Sequence, residues 1–322
     1  MHQDLTGRHV LFLNWRDTGH PEGGGSEVYV EQMAVGLAER GAVVHMVCPR
    51  YPGAPKRELK DGIHYYRIGG RLSIYLLVPL LNLFHRLPRH DLVVEIQNGV
   101  PFLAAAYLTT PVVVVVHHVH REQWPIVFHP LVARFGWWLE GTLAPKVALG
   151  HQYVTVSTAT KTELVSLGVR ESDIAVIRNG SPHGSEVKQG PRSQTPEVLA
   201  LGRLVPHKQV EIAIESLADI PDARLTIAGE GWWHTHLSER ASQLGVTDRV
   251  TFTGHVSEEE KNMLFSRAWV QALPSLKEGW GLVIVEAGMH QTPTVAFHSA
   301  GGVQESIVDG ETGFLVEDNH EF

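Results

Sequence analysis

Apolar runs without polar alternation recur along the chain, each ending in a glycine or polar cluster that leads into a helical stretch. His9 to Asn14 reads as a buried strand, followed by Arg16 to Glu22 and then by Gly23-Gly24-Gly25-Ser26. These open a helix in which Val30, Met33, Ala34, Leu37 and Ala38 recur at helical spacing, and Gly41 caps its end. Val43 to Val47, Gly62 to Arg67 and Leu92 to Ile96 read as further strands. So does the β-branched run Pro111 to Val116, which ends in His117-His118-Val119-His120. Tyr153 to Ser157 is a strand, Thr160 to Leu167 a helix closed by Gly168, and Ile174 to Ile177 leads to Arg178-Asn179-Gly180. Uninterrupted apolar strands predict a parallel sheet covered on both faces, with ligands gathering at the strands' carboxyl ends. His117 falls at such an end, where a substrate contact competes with a purely structural role.

Ser181 to Pro196 is rich in Gly, Ser, Pro and Gln and poor in apolar residues, which predicts an interdomain linker. The expected domains are 1–190 and 191–322. In the second, Val198 to Leu201 ends at Gly202-Arg203, with Lys208 beyond it and a helix from about Val210 to Leu217. Arg224 to Ala228 ends at Gly229-Glu230-Gly231. Val250 to Thr253 precedes Ser257-Glu258-Glu259-Glu260, a capping box. Val270 to Leu273 enters a turn-rich stretch, and Thr294 to Phe297 leads to Gly301-Gly302.

Within that stretch Glu278 and Glu286 bracket a Gly-Trp-Gly turn and an apolar run. This predicts one carboxylate in a loop and the other on the first turns of a helix, both facing one cleft. Backbone amides at Gly281 and Leu282 would stand at the helix start, where free donors and the helix dipole favour an anion such as phosphate. The same argument applies to Gly24 and Gly25, although that glycine run lacks the GxGxxG spacing of dinucleotide sites.

Composition narrows the function classes. With 322 residues, 43% of them hydrophobic, the chain is an ordered globular protein of two-domain size. A formal net charge of −8 argues against nucleic-acid binding, which relies on Lys and Arg at phosphates. Cys48 is the only cysteine, which excludes an internal disulfide and a thiolate zinc cluster and fits a reducing, cytoplasmic setting. Val10 to Leu13 is too short for a signal anchor. Ile74 to Phe84 is too short to cross a membrane, which takes about 20 residues. Flanked by Arg71, Arg86 and Arg89, it reads either as a helix packed on its own sheet or as a peripheral contact with the inner membrane face.

Together these motifs resemble the retaining, nucleotide-sugar-dependent glycosyltransferases of family 4. Gly202-Arg203 with Lys208, Gly229-Glu230-Gly231, Phe252-Thr253-Gly254, the Glu278/Glu286 pair and Gly301-Gly302 occur in the family's order. The resemblance runs over nearly the whole chain. It implies a GT-B fold, in which two Rossmann-like α/β domains face each other across a cleft, the first on the acceptor side and the second binding the donor. It also implies roles. Glu278 would bind hydroxyls of the transferred sugar, Glu286 the nucleotide ribose, and Arg203 with Lys208 the diphosphate leaving group. Gly24 and Gly25 would approach donor phosphate or acceptor, and His117 would contact the sugar; Ser157 and Asn179 match recurring positions without an assigned role.

A UDP- or GDP-sugar donor and a glycan, lipid-linked or small-molecule acceptor follow from the resemblance, with no cofactor and no metal. The sequence has no Asp-x-Asp pair of the kind that holds a divalent cation in the other glycosyltransferase architecture. It departs from the family where Gln209 and Gln291 replace common glycines, and it ends at Phe322, where relatives continue through further helices. The second domain is therefore expected to be truncated at its C-terminus. A non-catalytic sugar-nucleotide-binding protein and a sugar-nucleotide epimerase remain as alternatives.

Overall fold

A computed structural model describes residues 4–180 and 190–322. The chain divides into two compact units, Met1–Ile177 and Arg178–Phe322. Arg178 joins the second through an ion pair with Glu305 at 3.0 Å and a position over the Trp280 ring. Of the expected linker, residues 181–189 lie outside the described residues.

The first unit is built on an eight-stranded sheet: β1 (His9–Leu13), β2 (Val43–Cys48), β3 (Arg57–Lys60), β4 (Ile63–Arg67), β5 (Leu92–Gln97), β6 (Val112–Val116), β7 (Gln152–Thr155) and β8 (Ile174–Val176). Their spatial order is β3-β4-β2-β1-β5-β6-β7-β8, and only β3 with β4 is antiparallel. Alternate residues of each strand feed opposite faces. Leu11, Leu13, Val93 and Val114 join one core cluster, to which Ile74 and Val78 of the helix Ile74–Leu83 contribute. Val10, Phe12, Val94 and Val115 join the other, with Val30 and Ala34 of the helix Gly25–Glu39. Strands buried on both faces need apolar side chains in both directions, which is why their sequences do not alternate.

The sequence pattern did not predict two larger features of this unit. β3 is an edge strand of polar residues, turned back at Asp61-Gly62, where both residues have positive φ. Between β6 and β7 the chain forms the helices Trp124–Val127, Pro130–Trp138 and Ala144–Val147, with a π-helical turn at Leu139–Leu143.

The second unit carries a fully parallel six-stranded sheet: β9 (Glu197–Leu201), β10 (Arg224–Ala228), β11 (Val250–Gly254), β12 (Val270–Leu273), β13 (Thr294–Phe297) and β14 (Gly313–Val316). The order is β11-β10-β9-β12-β13-β14. The predicted capping box is present: Ser257 Oγ accepts the Glu260 amide, and Glu260 accepts the Ser257 amide at 2.8 Å. Among the described residues no helix is long and apolar enough to cross a membrane.

Candidate functional site

In the second unit the glycine motifs lock the strand-end loops together. Gly202 donates to Ala228, Gly229 to Gly254, and Leu204 to Glu230. A Cβ at Gly229 would overlap the Gly202 carbonyl oxygen, and one at Gly231 would overlap that of Leu204. Glycine is therefore required by backbone-to-backbone packing at both positions. This arrangement delivers Arg203, half-buried and without an ion-pair partner among the described residues, to the carboxyl end of β9.

Lys208 closes the short turn Pro206–Lys208, and its Nζ meets Glu278 Oε1. The turn is tied to the next loop by the Leu276 amide donating to His207 O at 2.9 Å. Glu278 stands in a loop, as expected, and its backbone is clamped on both sides: its amide donates to Ala300 O, and its carbonyl accepts the Gly302 amide at 3.0 Å. Gly301 and Gly302 thus serve to seat Glu278.

Gly281, at φ 80°, begins the helix Leu282–Met289. The amides of Leu282 and Val283 have no acceptor among the described residues, so the helix begins with open donors, where the sequence predicts them at Gly281 and Leu282. Glu286 lies one turn along this helix and pairs at 2.7 Å with Lys261, which also meets Glu258 at 2.9 Å. Burial works against the Lys261 charge, but Glu286 and Glu258 outweigh it and hold its pKa above the ordinary value. Sequence reasoning missed Lys261; its only signal was its place one residue after the capping box. Each glutamate therefore has its own lysine.

Gln209 at φ 48° and Gln291 at φ 58° have left-handed backbone, the conformation that favours glycine. Trp280, largely buried, has an indole N–H without an acceptor among the described residues.

In the first unit, His117 follows β6 directly. It is buried, lies edge-on to Tyr29 at 5.2 Å, and its Nε2 has no hydrogen-bond partner among the described residues. Burial, with a smaller contribution from His120, lowers its pKa to about 4, so the ring is neutral near pH 7. The loop after it is held by Glu140, which sits on the π-helical turn and was not singled out from the sequence. Its carboxylate takes His120 Nδ1 at 2.8 Å and the Trp124 indole at 2.7 Å. Ser157 caps the helix Thr158–Ser166, and Thr160 Oγ1 donates to His117 O at 3.1 Å. The Gly24 amide is occupied by the buried Glu27 carboxylate at 2.7 Å, whereas the amides of Gly25 and Ser26 have no acceptor among the described residues. No group of three or more metal-ligating side chains occurs among the described residues.

Two family models match the chain: Glycosyltransferase Family 4 over residues 23–182, and Glycosyl transferases group 1 over residues 185–321. The glycogen synthase of Mycobacterium tuberculosis is 31% identical over 229 residues, 61% of this chain and 55% of that protein. The D-inositol 3-phosphate glycosyltransferase of Mycobacterium marinum is 32% identical over 154 residues, 45% of this chain and 32% of that protein. The match thus spans about half or less of these relatives' length. Among solved structures, sucrose-phosphate synthase from Thermosynechococcus elongatus superposes with a TM-score of 0.80 at 20% identity, covering 97% of this chain and 87% of that one. Anabaena HepE, in complex with UDP and glucose, gives 0.71 at 23% identity, covering 96% and 86%.

Proposed function

Because this chain belongs to the group 1 glycosyltransferases of family 4 and has the GT-B fold, we propose that it moves a hexose from UDP or GDP to a glycan, lipid-linked or small-molecule acceptor, with retention and without a metal. The observation that carries the reading is the paired arrangement in the second unit, Lys208 on Glu278 and Lys261 on Glu286, beside the open amides of Leu282 and Val283. HepE, solved with UDP and glucose, supports a nucleotide-sugar donor.

Breaking the bond between sugar and diphosphate places negative charge on the departing phosphate and positive charge on the sugar carbon. Arg203, Lys208 and the helix-start amides are the groups that stabilise the phosphate, acting where charge develops rather than on the ground state. Glu278 accepts hydrogen bonds from sugar hydroxyls while Lys208 orients it. Glu286 accepts from the ribose, held by Lys261. Neutral His117 can hydrogen-bond the sugar without placing a cation beside the forming positive carbon. The acceptor hydroxyl gives its proton to the departing phosphate oxygen on the same face, which yields retention. The acceptor lies on the first unit, with peripheral membrane contact through Ile74–Phe84.

Incubation with UDP- and GDP-sugars without acceptor tests the reaction class. Slow release of free sugar with nucleoside diphosphate supports transfer. A changed sugar still attached to nucleotide would identify an epimerase, and binding without turnover would identify a non-catalytic protein.

A further inference from the structure

The β1 exit loop, the loop 51–55 after β2 and the β3–β4 hairpin border a cavity of about 270 Å³ beside the helix Gly25–Glu39. It falls just below the roughly 300–1,000 Å³ of sites for drug-sized ligands, so it takes one ring rather than a chain of them. Among its lining residues Asp17 is only 1% exposed, and its Oδ2 accepts Arg67 Nε at 2.6 Å and the Cys48 thiol at 3.6 Å. Asp17 Oδ1 is buried without a hydrogen-bond partner among the described residues. The Tyr51 hydroxyl approaches Asp17 without closing a regular hydrogen bond; burial and Asp17 raise its pKa, so it keeps its proton. A buried carboxylate oxygen is unfavourable without a donor, and an occupant of the cavity can supply one.

The charges around the cavity select against ions. Arg67 is buried and already engaged: besides Asp17 it donates to Glu58 at 2.8 Å and to Pro55 O at 3.2 Å. Burial works against its charge, but Asp17 and Glu58 outweigh it and raise its pKa. Glu31 of the helix accepts the Thr18 amide at 2.8 Å and the Thr18 hydroxyl at 2.7 Å. Three carboxylates, of Asp17, Glu31 and Glu58, therefore repel an anion, while Arg67 and Lys60 oppose a cation. What they suit is a neutral ligand rich in hydroxyl groups, which donate to carboxylates and accept from a phenol. The cavity also underlies a loop of interest. Asp17 O accepts the His20 amide at 3.2 Å and His20 O accepts the Gly23 amide at 2.7 Å, so the turn leading to Gly24 and Gly25 is wound on Asp17.

We propose that this cavity holds one neutral hexose unit of a carbohydrate acceptor, its hydroxyls donating to Asp17 Oδ1 and Glu58 and accepting from Tyr51. The assignment rests on the first unit being the acceptor side of a sugar transferase, and it commits that acceptor to a glycan. Glu58 and Lys60 belong to β3, so the edge hairpin contributes to the site as well as to the sheet.

The test reads sugar binding by the full chain with no nucleotide present, so its failure is distinct from a failure of donor binding or turnover. Saturation-transfer NMR is recorded with the methyl α-glycosides of D-glucose, D-mannose and D-galactose, and with glucosamine and glucose 6-phosphate as charged counterparts. At least one neutral glycoside should bind, and more tightly than either charged sugar. Tyr51→Phe, which loses only a hydroxyl, should weaken it roughly five- to tenfold. Ala54→Trp, which fills the cavity from the loop 51–55, should abolish it, both variants keeping the wild-type circular dichroism. Glu278→Gln, in the second unit, should leave it unchanged. Binding of none of the glycosides overturns the proposal, as do Tyr51 and Ala54 variants that bind like the wild type. Binding lost in Glu278→Gln alone overturns it too, because the sugar then occupies the candidate donor site. Tighter binding of glucosamine or of glucose 6-phosphate would overturn the neutral-sugar assignment in favour of a charged ligand.

Discussion

Replacing Gly302 by alanine should damage the candidate donor site without touching any side chain in it. A Cβ there would overlap the Gly279 carbonyl oxygen and lie 2.6 Å from the Gly279 carbonyl carbon and 3.1 Å from the Trp280 amide nitrogen. Unstrained carbon contacts are about 3.5–4.0 Å, so the 278–280 backbone must retreat by roughly 1 Å. The retreat also breaks the 3.0 Å bond from the Gly302 amide to Glu278 O. Overpacking of this kind costs about 1–3 kcal/mol. A misplacement of about 1 Å at a reacting group costs on the order of a hundredfold in rate. Gly288→Ala is the control, because a Cβ at this exposed helical position meets nothing within 4 Å. It should stabilise by roughly 0.5–1 kcal/mol. Urea denaturation followed by tryptophan fluorescence, which includes Trp280, measures both. A Gly302→Ala protein as stable and as active as the wild type would refute the claim that Gly302 seats Glu278.

The two glutamates should separate kinetically: Glu278→Gln lowers kcat, whereas Glu286→Gln raises the donor KM, each by roughly ten- to hundredfold. Steady-state kinetics in which Glu278→Gln changed only KM would sink the sugar-contact assignment. Gln209→Gly and Gln291→Gly should each stabilise. Left-handed backbone costs a non-glycine residue roughly 1–2 kcal/mol, while glycine's extra unfolded-state freedom returns about 0.4–1 kcal/mol. A lower denaturation midpoint in either variant contradicts this. The lowered His117 pKa sets a pH dependence: the unfolded chain protonates this ring near 6.5 and the folded chain near 4. Its contribution is thus present above pH 6.5 and lost as pH falls through that window, on the order of 3 kcal/mol in all. His117→Phe should flatten the stability profile between those values, and an unchanged slope would count against the buried neutral ring.

Most strands were legible because burial on both faces writes itself as a continuous apolar run. The edge strand β3 was not, since Arg57-Glu58-Leu59-Lys60 reads as polar loop and only the Asp61-Gly62 turn signals a hairpin. The helices between β6 and β7 were missed because Pro125, Pro130 and Pro145 and the π-helical turn break the helical period. In the candidate site, Lys208 and Glu278 were readable from motif order, and the structure brings them together from positions 70 residues apart. Lys261 and Glu140 act through partners 25 and 20 residues away, a pairing that no local pattern encodes.

The central claim is that the second unit grips a nucleoside diphosphate through Arg203 and Lys208. Calorimetric titration of UDP and of GDP into the full chain tests it most directly. One of the two should bind with a single-site isotherm, and Arg203→Ala should weaken it at least about tenfold. Binding of neither nucleotide, or an Arg203→Ala protein that binds as tightly as the wild type, would contradict the account.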